Sequence, residues 1–296
     1  MVCNSVLIIA ILKNKNLRHR REIQIILALS FADFAEAFAT FCGGLYRISV
    51  ILLDLKNTKF RLIDCMLLPH SWLWRWSDFA TSFMLLTLTI DRLFSVCLPL
   101  KYITWRSTYS CIVIGTPYLL SLLLSMLAWH RPLTVHAEIS MLCMNVYISP
   151  TFYALSKYLT AAASVLSILL YIPVMYLVRI QRNRVERAIA HSQAMIQRQA
   201  QLRMTMTIAF SAFATIFLDA IPRALGVYGS FNGNESEEQC ESVMQILFHL
   251  TKINSMVNLF LYYRRNPAIR ASILIVLRMF RAGKSCFVLF FQLENL

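Results

Sequence analysis

Seven long apolar runs, separated by short basic or polar segments, constrain this chain more than any other feature of its sequence. They fall at about residues 2–12, 23–45, 67–96, 110–129, 151–178, 204–227 and 242–263. Most are too long for strands and hold too few turn residues to be divided. Lipid offers a backbone no hydrogen-bond partner, so a segment that lies in it must satisfy its own amides, and a helix does so. With 58% hydrophobic and only 15% charged residues over 296 positions, a soluble domain would lack the polar surface to cover itself. The expected fold class is therefore an all-α membrane protein, a single seven-helix bundle across residues 1–296. The first run, Val2 to Leu12, is shorter than the roughly 20 residues of a crossing. It is expected to be the inner half of a helix whose outer half precedes Met1, and it has no secretory cleavage pattern.

Charge orients the bundle. The formal net charge is +14, but the basic residues stand in clusters between apolar runs, which speaks for cytoplasmic loops and against a nucleic-acid surface. The clusters are Lys13 to Arg21, Lys101 with Arg106, Arg179 to Arg198, and Arg264 to Arg281, all on one side of a seven-pass chain. The opposite side carries Glu235, Glu237, Glu238 and Glu241, together with the glycosylation acceptor at Asn234 in Asn234-Glu235-Ser236. On that outer side Cys65, ahead of the third run, can pair with Cys143 between the fourth and fifth; an unpaired Cys65 thiol is the alternative. The eight cysteines include no C-x-x-C pair, so a structural zinc site has no support. Neither H-E-x-x-H nor Gly-x-Ser-x-Gly occurs, so a membrane enzyme is not expected. A transporter would show inverted repeats and broken helices, and neither is visible.

Specific residues then point to a family. The third run ends Thr89-Ile90-Asp91-Arg92-Leu93 and continues Pro99-Leu100-Lys101-Tyr102; the seventh reads Asn254-Ser255-Met256-Val257-Asn258-Leu259-Phe260-Leu261-Tyr262. Asp33 in the second run and Asn4 in the first complete the set. In order and spacing these resemble the rhodopsin-like (class A) seven-transmembrane G-protein-coupled receptors, with Leu259 where that family has proline. The wording is most similar to the nematode serpentine chemoreceptors of the Srsx type. The sixth run has Asp219-Ala220-Ile221-Pro222 where many members have Cys-Trp-x-Pro. It also lacks an acid at its inner end to pair with Arg92.

The resemblance implies a plasma-membrane, multi-pass receptor that passes the binding of an extracellular small molecule or peptide to a heterotrimeric G protein. It implies a switch made of Asp91, Arg92, Tyr176 and Tyr262. It also implies a sodium ion held by Asp33 with Thr81, Asn254, Ser255 and Asn258, the alternative being a hydrogen-bonded packing node without an ion. Nearer the outside, Glu36, Trp74, Arg75, Asp78, Asp219 and Lys252 are candidates for a ligand pocket, since charges in a membrane are costly unless they are used or paired. The plainer reading is mutual neutralisation, Arg75 with Asp78 and Glu36 with Lys252. Lys252 stands where opsins carry the lysine that binds retinal, but the missing tryptophan and His70 argue against a photoreceptor. Trp74 occupies the position at which amine receptors place an acid, which disfavours an amine ligand. After Tyr263, residues 266–280 are similar to the short surface helix of these receptors, with basic residues suited to lipid headgroups. No cofactor is expected beyond the sodium ion.

Overall fold

The computed structural model describes residues 1–105, 107–187, 213–214, 217–218, 221–222, 225, 253, 256–257, 259–264 and 266–281. The chain is almost entirely helical among these: α1 (Val2–Lys13), α2 (Lys15–Arg18), α3 (Arg21–Leu52), α4 (Leu62–Leu67), α5 (Pro69–Cys97), α6 (Pro99–Thr104), α7 (Ser107–Met126), α8 (His130–Thr134), α9 (Asn145–Ile148), α10 (Pro150–Arg187) and α11 (Pro267–Arg281). Among the described residues four helical segments are long and apolar enough to cross a membrane: Arg21–Leu52, Pro69–Cys97, Thr108–Thr134 and Pro150–Ile180. This is an all-α membrane fold. The sixth and seventh runs lie mostly outside the described residues, and Asp219, Asn234, Lys252, Asn254, Ser255 and Asn258 lie outside them.

The helix ends differ from the sequence expectation for local reasons. The third run, expected over 67–96, is broken at Leu68, whose extended backbone precedes Pro69. Proline disfavours a helical residue before it but suits a first turn. The second run continues to Leu52, where 23–45 was expected, and within this extension Arg47 donates through Nε to the carbonyl of Leu142 at 3.4 Å. The fourth run, expected over 110–129, is helical from Ser107 and passes through a 3-10 turn, Leu127–Trp129, into α8. The fifth, expected over 151–178, continues to Arg187. At about 1.5 Å per residue α10 is roughly 57 Å long, well beyond a hydrocarbon core of about 30 Å.

Helix α5 is the axis of the bundle, packed against α3, α7 and α10. Its buried face is rich in polar groups, including Ser71, Arg75, Ser77, Asp78, Ser82, Thr89, Asp91 and Arg92. Meanwhile Phe31, Phe41, Leu119, Leu123, Leu169 and Ile172 on its neighbours point outward. That is the inverse of a soluble fold, and it follows from lipid being as apolar as leucine while polar groups must find partners inside. An open groove of about 660 Å³ between α3, α5 and α7, lined by Phe31, Phe38, Trp76, Tyr118 and other apolar groups, has the character of a lipid-facing surface.

At the outer end, β1 (Lys59–Arg61) pairs antiparallel with β2 (Glu138–Ser140) in the register Lys59 with Ser140, Phe60 with Ile139 and Arg61 with Glu138. The sequence pattern gave no sign of this pair of three-residue strands. Beside it, Cys65 and Cys143 form a disulfide closing 78 residues of separation, buried with Leu62, Met66, Phe79, Ala128, Ile148 and Phe152. At the inner end, Asn266 accepts from the amides of Ala268 and Ile269 through Oδ1 and so caps α11. Ile269, Ser272, Ile273 and Val276 of α11 are buried against α1, and Asn14 Nδ2 donates to Ser272 Oγ at 3.0 Å.

Cross-links that close long loops commonly contribute about 2–4 kcal/mol. Cys143→Ser is expected to lower the thermal midpoint of the detergent-solubilised protein by several degrees. Cys65→Ser should do the same, and the double variant should lose no more than either one.

Candidate functional site

At the inner end of α5, Arg92 is only 1% exposed and meets two carboxylates. Its Nη2 lies 2.9 Å from Asp91 Oδ2, and its Nη1 lies 3.9 Å from Glu22 Oε1 in the first turn of α3. Asp91 is further held by two phenols, since Tyr102 donates to its oxygens at 3.2 and 3.3 Å and Tyr109 donates at 3.2 Å. Arg21 fixes Tyr102 in turn, donating through Nη1 to its carbonyl at 2.8 Å and lying 5.0 Å from its ring centre. Burial holds the Tyr102 phenol well above its ordinary pKa, and the adjacent Asp91 carboxylate raises it further. Tyr102 therefore stays a donor at physiological pH. The Asp91 contact is a short ion pair in which Arg92 Nη2 makes no hydrogen bond among the described residues; the Glu22 contact is beyond hydrogen-bonding length.

Two departures from expectation arise here. Tyr176, selected by its distance from Pro173, is 67% exposed on the outer face of α10. Tyr171, five residues earlier, is buried and lies close enough to Arg92 and Tyr262 for electrostatic interaction. The five-residue offset rotates a helix by about 140°, enough to exchange lipid for core. Tyr262 is itself buried in the same inner cluster. Glu22 was missed because an acid among basic residues reads as a solvated loop charge, and only packing brings it to Arg92.

In the middle of the bundle Asp33 is buried on α3, and Asn4 is buried on α1. Tyr118 donates to the carbonyl of Ala28 at 2.6 Å and interacts electrostatically with Asp33. Thr81, expected beside Asp33, donates instead to Glu36 Oε2 at 3.5 Å. The other three expected partners of Asp33, namely Asn254, Ser255 and Asn258, fall outside the described residues.

Toward the outside, the expected pairing of Arg75 with Asp78 is not formed. Arg75 reaches back along its own helix, donating through Nη1 to the Ser71 carbonyl and contacting Met66 Sδ, each at 3.1 Å. Helical side chains lean toward the N-terminus, and a long one lies over the preceding turn. The shorter Asp78 faces α10, where its Oδ2 is 3.6 Å from Lys157 Nζ. The ammonium also lies 4.9 Å from the ring centre of Trp74 and 5.4 Å from that of Tyr153, within cation–π range. Lys157 is absent from the sequence-derived candidates, although a lone lysine within an apolar run is itself a signal.

An apolar exterior, a polar central helix and a buried arginine at its inner end define a multi-pass membrane protein. The chain matches the family of 7 transmembrane receptors (rhodopsin family) over residues 3–262. It belongs to that family, whose members are receptors and not enzymes. No curated protein matches it.

Glu22 and Arg92 attract each other across 3.9 Å in this arrangement. Glu22→Gln should raise ligand-independent G-protein activation about fivefold, the equivalent of roughly 1 kcal/mol for a partly exposed ion pair. A basal level equal to wild type at matched surface display would show that Glu22 exerts no restraint. In the same assay Tyr171→Phe should reduce maximal activation severalfold, while Tyr176→Phe leaves it unchanged.

Proposed function

We propose that this receptor sits in the plasma membrane and serves chemosensation, converting the binding of an extracellular small molecule or short peptide into activation of a heterotrimeric G protein. The observation that carries the reading is the position of Arg92, buried at the inner mouth with one tight partner and one loose one. Turning Arg92 away from Glu22 and Asp91 toward Tyr171 and Tyr262 would open the inner mouth to a G-protein segment. A ligand drives that change only by its extra affinity for the open form. The chemosensory role, and the narrower place among Srsx-type nematode receptors, rest on the wording around Asp91-Arg92 and Asn258 to Arg265. Glycosylation at Asn234 follows from the sequon and its outer location. Asp33 would supply the carboxylate for a sodium ion, with Asn254, Ser255 and Asn258 as the oxygen donors available from the seventh helix; Thr81 is turned toward Glu36. A retinal linkage at Lys252, which lies outside the described residues, and a transport cycle are the alternative readings.

G-protein dissociation, normalised to surface display, tests this reading across pools of small odorants and short peptides. A response in the wild type that falls at least about tenfold in Arg92→Ala supports it. An equal response in both would remove Arg92 from the coupling step.

A further inference from the structure

A buried guanidinium in the outer half of the bundle has no counter-charge beside it. Arg75 lies seventeen residues before Arg92 on α5, about 26 Å along the axis toward the outer end, and is 2% exposed. Its Nη1 meets the Ser71 carbonyl and Met66 Sδ, each at 3.1 Å. Its Nη2 is buried with no hydrogen-bond partner among the described residues. Two carboxylates of the neighbouring helices are turned elsewhere, Asp78 to Lys157 at 3.6 Å and Glu36 to Thr81 at 3.5 Å. Among the described residues neither Arg75 nor Arg47 makes an ion pair. The neighbours of Arg75 toward the outer surface are basic. His70, five residues nearer the outer end, is close enough to both Arg75 and Arg47 for electrostatic interaction, and its Nε2 is likewise buried without a hydrogen-bond partner. Gly43 lets the imidazole lie against α3, since a Cβ there would come within 3.0 Å of its Cδ2.

Arginine keeps its charge at physiological pH, and a charge buried without a match carries a desolvation cost that polar contacts alone do not recover. A water at Nη2 would supply the hydrogen bond and leave the charge unmatched. A carboxylate supplies both, because its two oxygens fit the parallel N–H groups of Nη1 and Nη2. Met66 is the contact most easily given up for it, being a weak acceptor on a flexible, unbranched chain. A phosphate dianion would bring one more charge than the guanidinium offsets. Met66 also belongs to the buried apolar cluster of Leu62, Phe79 and Phe152, so the remainder of a molecule seated here meets apolar groups. From this arrangement we infer that Arg75 binds a small organic monoanion, a carboxylic acid whose remainder is uncharged and largely apolar. The inference rests on the receptor reading above and names the ligand class for it. Arg47, half-buried at the outer end of α3, and Arg75 together set a positive potential around His70 that draws an anion inward.

The test uses the full chain in phosphatidylcholine nanodiscs and reads its thermal midpoint with monocarboxylic acids added. Short- and medium-chain, branched and aromatic acids represent a solute, and long-chain fatty acids represent a membrane source; each is measured beside its methyl ester and primary amide. One or more acids should raise the midpoint, and whichever arm responds identifies the source. The matching ester and amide should bind at least about thirtyfold more weakly, the scale for losing one partner of a buried charge pair. Arg75→Lys, which keeps the charge and loses the fork, should bind the acid at least about tenfold more weakly. Arg75→Met should abolish the shift and, with no acid present, raise the midpoint by about 2 °C or more, because it removes an unmatched buried charge. An unchanged or lower midpoint in acid-free Arg75→Met would show that the guanidinium already has its partner inside the protein, and would overturn the site. An acid that binds equally well to either variant, an ester or amide that equals its acid, or a panel in which no acid shifts the midpoint would overturn it too. None of these outcomes touches the receptor reading, which G-protein dissociation with Arg92→Ala tests separately. An acid that binds through Arg75 yet releases no G protein in cells displaying the wild type or Glu22→Gln would overturn the receptor reading and leave the site standing.

Discussion

Lipid withholds hydrogen bonds, and the arrangement of this protein follows from where its polar side chains go in response. A hydroxyl left facing hydrocarbon costs several kcal/mol on transfer scales that offer it no partner. The helices meet that constraint locally where they can. Ser30, Ser82, Thr89 and Ser121 each return their hydroxyl to a carbonyl one turn back on the same helix. Across helices, Thr89 and Ser167 share a hydrogen bond of 2.6 Å that joins α5 to α10. Carboxylates and guanidinium groups cannot be satisfied by a neighbouring carbonyl alone, so they sit on α5, the helix with neighbours on most sides, and on the face of α3 packed against it. The central position of α5 and its polar composition are thus one fact seen from packing and from sequence.

The two ends of α5 share a physical design. At each, one charge on α5 is deeply buried and its partner from another helix stands too far away for a hydrogen bond: Glu22 at 3.9 Å from Arg92, and Lys157 at 3.6 Å from Asp78. A pair of that length keeps much of its Coulomb attraction in a low-dielectric interior but little of the directional bonding that would lock it. Such contacts can be exchanged at modest cost. Asp91, with Arg92 at 2.9 Å and two phenols, is the fixed counterpart at the inner end. The disulfide and the β1–β2 pair are the fixed counterpart at the outer end. Between them runs a rigid helix, able to link a change of partners at one end to a change at the other if both bias the same two-state packing.

What could be read from the chain separates cleanly by range. Apolar runs and basic clusters define crossings and orientation because lipid selects on composition, which is local. Pro267 marks the first turn of α11 because proline acts on adjacent residues, whereas the break at Leu68 before Pro69, inside a run expected over 67–96, was not anticipated. Tyr171 was overlooked in favour of Tyr176 because both lie in the same apolar run and only the rotation of α10 tells core from lipid. Lys157 was overlooked because no residue next to it in sequence reveals Asp78 or Trp74 on another helix. The Arg75 to Asp78 pairing was plausible from spacing, yet α4 offers Arg75 a sulfur and α10 offers Asp78 an ammonium.

The sequence by itself therefore determined the solvent of this protein, its helices, the side on which its loops lie and the family to which its motifs belong. Each depends on composition or on residues close in the chain. Tertiary structure alone decided which charges meet: Glu22 with Arg92, Lys157 with Asp78, and Thr81 with Glu36 rather than Asp33. Coulomb attraction and hydrogen bonding fade over a few ångströms in space, and helix rotation and packing fix that distance between residues that stand 45 to 79 positions apart in the chain.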